Sequence, residues 1–273
     1  MKNLQQRIIM PKVSNIYRKK WDLDQLEERF RRAVNRGCKR SGQVFVFFRA
    51  DDIAIPSVGF TRLAEIFNRH QAPLCLALVP SWLNQSRFAQ LLEITGESER
   101  WCWHQHGRRH RNFEPTGKKQ EFGPERGVAV GQQLELGWQR LEAILGQRLE
   151  PFFTPPWNRC SQQTLDALEE QRFSAISRSR GAQPQSSACL PDLAINVDLH
   201  TRKEEDPEAS LSKLLEELEE SLATGCAGIM IHHRCMNGSA FAILDLLLAI
   251  LQEERGLKMG TFRELVEQEN KIS

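Results

Sequence analysis

Histidine is scarce in this chain, and its placement is uneven. Six of the seven histidines lie in three short stretches: His104, His106 and His110; His200; His232 and His233. Only His70 stands apart. Two of the stretches have acidic or aromatic company elsewhere in the sequence, in Asp51-Asp52 and in Pro155-Pro156-Trp157-Asn158, and Asp198 lies two residues before His200. Two imidazoles plus one carboxylate, with positions left open for water, is how a catalytic zinc or a similar divalent ion is held. A His-x-x-x-His spacing such as His106 to His110 brings two rings to one side of a turn. A second carboxylate beside such an ion can act as a base, and a histidine arriving from another element as an acid. Each piece also has a plainer use. Paired aspartates cap helices and start turns. Pro-Pro-Trp makes a rigid turn with a packed indole, and a His-His pair can be half-buried structure.

The elements that must position these residues follow from hydrophobic periodicity. Strands are expected at Val44–Ala50, Leu74–Val79, Trp101–His104, Phe152–Thr154, Ser174–Ser177, Leu193–Val197 and Gly228–His232. Leucines and aromatics at spacings of three and four predict helices over Gln132–Leu145, Ser161–Glu170 and Leu211–Leu222. A less regular stripe from Trp21 to Asn35 predicts another, ended by Gly37. The apolar run Ala240–Leu251, interrupted by Asp245, is too short to span a bilayer and reads as a buried helix. Strand alternating with helix implies a parallel α/β sheet, and closing it gives a barrel whose active site lies at the C-terminal strand ends. The clustered histidines fall at those ends.

We expect residues 1–40 to form a polar arm and helix and residues 41–273 a single barrel domain. Lys plus Arg is 37 and Asp plus Glu is 35, a net charge of +2, which gives no ground for a nucleic-acid or membrane partner. Arg108, Arg109 and Arg111 form a small basic patch that could meet an anionic substrate group. The N-terminal stretch has no apolar segment of signal-peptide length. The seven cysteines include no C-x-x-C pair, so reduced thiols in the cytoplasm are expected, with Cys235 the one to check for reactivity. Oligomeric state is not set by the sequence.

Over roughly residues 44–262 the pattern resembles the polysaccharide deacetylases of carbohydrate esterase family 4, also called the NodB-homology domain. Phe48-Arg49-Ala50-Asp51-Asp52 matches the first family motif and His106-Gly107-Arg108-Arg109-His110 the second. Thr154-Pro155-Pro156-Trp157 matches the third and Ile229-Met230-Ile231-His232 the fifth, while Asp198 matches the fourth loosely. The resemblance implies a distorted (β/α)7 barrel that deacetylates N-acetylated sugars. It implies one divalent ion on Asp52, His106 and His110, zinc first, with cobalt, nickel, manganese or iron as alternatives. Asp51 would be the general base, His232 the acid for the leaving amine, and the backbone near Trp157, after Pro156, part of the oxyanion site. Asp198 could orient His232. His104 and His233 are expected beside the ligands rather than on the ion, and Trp82, Trp103 and Trp157 are candidates to stack on a sugar.

The third motif of the family opens with arginine, where this chain has Thr154. Residues two apart on a strand share a side, so Arg49 is expected to take over the pairing with Asp51. A cytoplasmic setting favours a small-molecule or sugar substrate with an N-acyl group. Hydrolysis of a non-sugar amide, or a silent metal- or ligand-binding relative, are the alternatives.

Overall fold

The structure is a computed structural model that describes residues 12–123 and 129–272, with side chains described up to residue 268. Its strands are β1 (Val44–Ile53), β2 (Leu74–Leu78), β3 (Trp101–His106), β4 (Leu149–Thr154), β5 (Ala175–Ile176), β6 (Ile195–Asp198), β7 (Cys226–Ile231) and β8 (Leu257–Met259). The helices are α1 (Leu23–Ser41), α2 (Val58–Arg69), α3 (Gln85–Thr95), α4 (Ala129–Leu145), α5 (Gln162–Glu170), α6 (Pro207–Ala223), α7 (Gly238–Glu253) and α8 (Phe262–Ile272). The strands pair in parallel in the order β5-β4-β3-β2-β1-β7-β6, and β8 adds to the start of β1.

The ring from β5 to β6 is closed by irregular rungs rather than by strand pairing. Ile195 N–H donates to Arg178 O at 2.7 Å and Arg180 N–H to Ile195 O at 2.9 Å. No helix lies between β5 and β6. The result is the expected distorted (β/α)7 barrel, with its distortion concentrated at this seam.

A strand covered on both faces is apolar throughout, and β1 is buried along almost its whole length. Its alternate residues divide two cores. Val46, Phe48 and Ala50 pack outward against the helices, whereas Phe45 and Phe47 face the barrel interior with Cys75, Cys102, Phe152 and Met230. The interior is plugged by Phe262 from the start of α8, whose ring meets those of Phe47 at 5.2 Å, His104 at 5.0 Å and Phe152 at 5.6 Å. Arg49 and Asp51 continue the inward-facing parity of β1 toward its C-terminal end.

Two expectations are corrected. Gly37 does not end α1, which runs on to Ser41. A Cβ at Gly37 would stand 2.7 Å from both Glu219 O and Leu222 Cβ, so this glycine allows α1 and α6 to touch. The N-terminal stretch is not a loose arm from residue 12 onward, while residues 1–11 lie outside the described residues. Ile16 and Tyr17 are fully buried, Ser14 Oγ donates to His200 O at 2.7 Å, and the Tyr17 hydroxyl donates to Leu199 O at 2.5 Å. Two apolar side chains in an otherwise basic stretch are enough to dock it. Among the described residues, no helix is long and apolar enough to cross a membrane.

Candidate active site

Asp51 and Asp52 are adjacent, so strand alternation alone would send them to opposite faces. The β1–β2 register slips between Ala50 and Ile53, and Asp52 takes a left-handed backbone with φ 63°. Such a bulge re-aims a side chain, and both carboxylates reach the same end of the barrel. His106 ends β3 and points inward above His104. His110 follows four residues later in a loop, with φ 52°. Trp157 and Asn158, after β4, are left-handed as well, each with φ 58°. Four of the six described non-glycine residues with positive φ therefore border one site, where backbone strain tends to be held for function.

Asp52, His106 and His110 converge. His110 Nε2 lies 3.1 Å and His106 Nε2 3.5 Å from Asp52 Oδ1. Donors each about 2.1 Å from a shared zinc lie roughly 3–3.5 Å apart. The other nitrogen of His106, Nδ1, meets Thr154 O at 2.9 Å. A carbonyl there fixes the proton on Nδ1 and leaves the Nε2 lone pair toward Asp52. No hydrogen bond reaches the buried Asp52 Oδ1, although two imidazole nitrogens stand over it. An orphaned carboxylate oxygen among two nitrogen lone pairs fits a divalent cation, and these three residues would hold it. Burial pushes the Asp52 carboxyl up, but His106 and His110 outweigh it and hold the group below the usual carboxylate range. Burial, then His106, pushes the His110 imidazole down to about 4.

Arg49 is fully buried and grips Asp51 with two bonds, Nε to Oδ1 at 2.7 Å and Nη2 to Oδ2 at 2.8 Å. The same guanidinium donates to Ser177 O and Oγ at 3.0 and 2.9 Å and to Asn158 Oδ1 at 2.7 Å. Burial raises the pKa of Asp51, yet Arg49 foremost, with His106 and His232, pulls it below its ordinary value. Thr154 stands where the resemblance calls for an arginine, and its hydroxyl meets His104 Nε2 at 3.0 Å instead. His104 is pushed down to about 3 by burial and by Arg49, so it stays neutral beneath the site.

His232 Nε2 stands 4.0 Å from Asp51 Oδ2. Asp198 does not orient it. Its Oδ1 accepts the N–H of His200 at 3.0 Å and of Thr201 at 2.9 Å, and Oδ2 accepts the Thr201 hydroxyl. That carboxylate serves its own turn, as aspartates commonly do. The contact at His232 comes instead from His200, whose Nδ1 accepts the His232 backbone N–H at 3.3 Å.

His233 is buried with its ring against Phe60 at 6.0 Å, and burial pushes it down to about 4. It lines a cleft of about 380 Å³ together with Asp52, Ile55, Trp82, Arg234 and Met236. Trp157 and Trp82 flank His110 with ring centroids at 4.7 and 5.5 Å. Pro156 closes on Gly107, where a Cβ would meet its Cγ at 2.6 Å. Trp103 is core, packed on Phe88 at 5.4 Å, and is out of reach of a substrate. Sequence reasoning did not single out Ser177 or Glu121, which bond to Arg49 and to the His110 backbone, and it gave Asn158, which bonds to Arg49, no role beyond its place in the Pro-Pro-Trp run.

No family model and no curated protein sequence matches this chain. Solved structures do match. A protein of Mycobacterium smegmatis assigned as a polysaccharide deacetylase is 15% identical, over 85% of this chain and 92% of that one, with a TM-score of 0.62. A family 4 acetyl xylan esterase from Clostridium thermocellum, solved with a cobalt ion, is 14% identical over 83% and 92%, with a TM-score of 0.53. A pseudoenzyme of the same family from Bacillus anthracis is 16% identical over 82% and 66%, with a TM-score of 0.54. The likeness is one of fold, and the chain is built on the barrel of the carbohydrate esterase family 4 polysaccharide deacetylases.

Proposed function

We propose that this protein is a metal-dependent hydrolase that removes the acyl group from a small N-acylated compound, an N-acetylated sugar being the first to test. The observation that carries the reading is the meeting of Asp52, His106 and His110 beside an arginine-held carboxylate and His232 at the end of β7. A divalent ion held there supplies Lewis acidity, polarising an acyl carbonyl and acidifying water. Zinc is the first ion to test, and cobalt, nickel, manganese and iron suit the same nitrogen and oxygen donors.

The chain's own groups divide the rest of the work. Asp51, kept ionised and fixed by Arg49, accepts a proton from the attacking water. His232 delivers a proton to the departing nitrogen. The backbone N–H near Trp157 is assigned to the acyl oxygen as negative charge develops on it. Thr154 holds the two β3 histidines, one through its hydroxyl and one through its carbonyl. Trp82 and Trp157, on either side of His110, offer faces to the apolar side of a sugar ring.

One of the fold neighbours is a pseudoenzyme, so fold does not decide turnover. What favours turnover is that Asp51 and His232 are both present, 4.0 Å apart, with Asp51 in the field of His106 and His232 in the field of Asp52. The test measures metal content and hydrolysis of a panel of N-acetyl sugars and other N-acyl amides. The wild type should carry about one divalent ion, and a His106→Ala, His110→Ala double variant none. Asp51→Asn and His232→Ala should keep the ion and lose turnover by roughly 10²–10⁴-fold. Full activity in either single variant would overturn its role, and no ion uptake by the wild type would overturn the reading as a whole.

A further inference from the structure

His110 sits on neither a strand nor a helix. After β3 the chain enters a loop, and His110 must hold a left-handed backbone for its ring to reach Asp52. Its own sequence does not secure that conformation, which glycine adopts freely and a residue with a side chain adopts at a cost. The force that holds it comes from eleven residues further along.

Glu121 is buried, 3% exposed, with its carboxylate under the loop. Oε2 accepts the N–H of Arg108 at 3.3 Å and of His110 at 3.0 Å, and Oε1 accepts the N–H of Arg109 at 2.7 Å. Three successive backbone N–H groups converging on one anion form a nest, a concavity that favours negative charge. The carboxylate comes this close because residue 107 is glycine: a Cβ there would lie 2.4 Å from Glu121 Oε2. Glu121 is in turn anchored by its neighbour. Phe122 is 1% exposed, its ring meets Phe153 at 5.5 Å, and its carbonyl accepts from Ser161 N at 2.8 Å and Thr164 Oγ1 at 3.1 Å. A rigid line of contacts therefore runs from the α5 side of the core, through Phe122 and Glu121, to the backbone of a ligand histidine.

We propose that Glu121 is a positioning residue, whose carboxylate fixes the 108–110 backbone so that His110 faces Asp52 before any ion arrives. This rests on the metal-site reading above. Glu121 touches neither ion nor substrate. It acts by sparing the loop the reordering that ion binding would otherwise have to drive. Charge-assisted bonds from backbone N–H are the strong kind, so an amide oxygen in the same place should do the work less well.

The test uses the full chain with Glu121→Ala, Glu121→Gln and, as a control destabilised far from the site, Gly37→Ala. Zinc affinity is read by competition with a chromophoric chelator. Amide hydrogen exchange over residues 108–110 is read in chelator-treated protein. Glu121→Ala should weaken zinc binding by roughly 10–100-fold, the scale of outer-shell losses, and speed exchange at Arg109 and His110. Glu121→Gln should fall between it and the wild type, and carries the test alone should the alanine variant fail to fold. Gly37→Ala should bind zinc as the wild type does. Unchanged zinc affinity in the Glu121 variants, or an equal loss in Gly37→Ala, overturns the proposal. A wild type that takes up no ion overturns the metal reading instead, and Glu121 is then judged on exchange, where unchanged protection overturns it.

Discussion

Replacing Arg49 by methionine tests the reasoning about the site at its most buried point. The guanidinium is wholly enclosed and serves five oxygen acceptors on Asp51, Ser177 and Asn158. Methionine keeps the volume and removes the charge. It leaves the Asp51 carboxylate, 3% exposed, without its cation. Breaking one side of a buried ion pair costs about 3–5 kcal/mol, because the surviving charge is stranded. At about 2–4 °C per kcal/mol for a large domain, the midpoint should fall by roughly 6–20 °C. Asp51→Asn alone strands Arg49 and should cost a comparable amount. The double variant strands neither charge, so it should lose less than the sum of the singles by about 3 kcal/mol, the upper end for coupled neighbours. Arg49→Lys should be intermediate, since one ammonium cannot reach a fork of acceptors. Thermal and urea unfolding, both in the presence of a chelator, are the suitable assays, because an ion bound only to the native state would add its own stabilisation. Additive singles, or a cost for Arg49→Met of about 1 kcal/mol as for a surface pair, would refute the account of Asp51 as a carboxylate kept ionised by Arg49.

Gly37→Ala should destabilise the fold by about 1–3 kcal/mol in the same assays, as overpacking does, despite a gain of about 1 kcal/mol in helix propensity. The added carbon meets backbone oxygen on α6 at 2.7 Å, and an unchanged midpoint would show that the helices simply separate. Thiol labelling should spare Cys235. Burial pushes Cys38, Cys160 and Cys235 each up to about 11, whereas Cys189 is exposed. Brief iodoacetamide treatment at pH 8, read by mass spectrometry, should modify Cys189 first, and equal labelling of Cys235 would contradict the shift.

The barrel was legible where burial on both faces leaves apolar runs in the sequence. β1, β2 and β7 are such runs, and α4, α5 and α6 carry leucines at helical spacing. α2 and α3 also carry the signal, since Ser57 and Asn84 cap them and Phe60, Leu63 and Phe67 form one face, yet neither was picked out. β5 lies inside the strand expected at Ser174–Ser177, shortened to two residues. β8 is different: with three residues it is too short for alternation to appear, and it exists because β1 offers it hydrogen bonds. Gly37 misled because one residue type marks both a helix end and a close helix crossing.

Legibility of the site follows chemistry rather than importance. Histidine is rare enough that six at strand ends stand out, and Asp-Asp and Pro-Pro-Trp add shape to the pattern. Carboxylates are common, so their roles are set by what folds around them. Asp198, placed beside a histidine in sequence, spends its oxygens on its own turn. Glu121, in a polar stretch that looks like ordinary loop, lies buried under the backbone of His110. The two differ only in which N–H groups the chain brings to them. Arg49 falls between these cases: strand parity put it beside Asp51, but that it also reaches Ser177 and Asn158 depends on the irregular seam and the left-handed turn that close the barrel around it. The bonds that steady the site's chemistry therefore come from the parts of the fold that periodicity describes least.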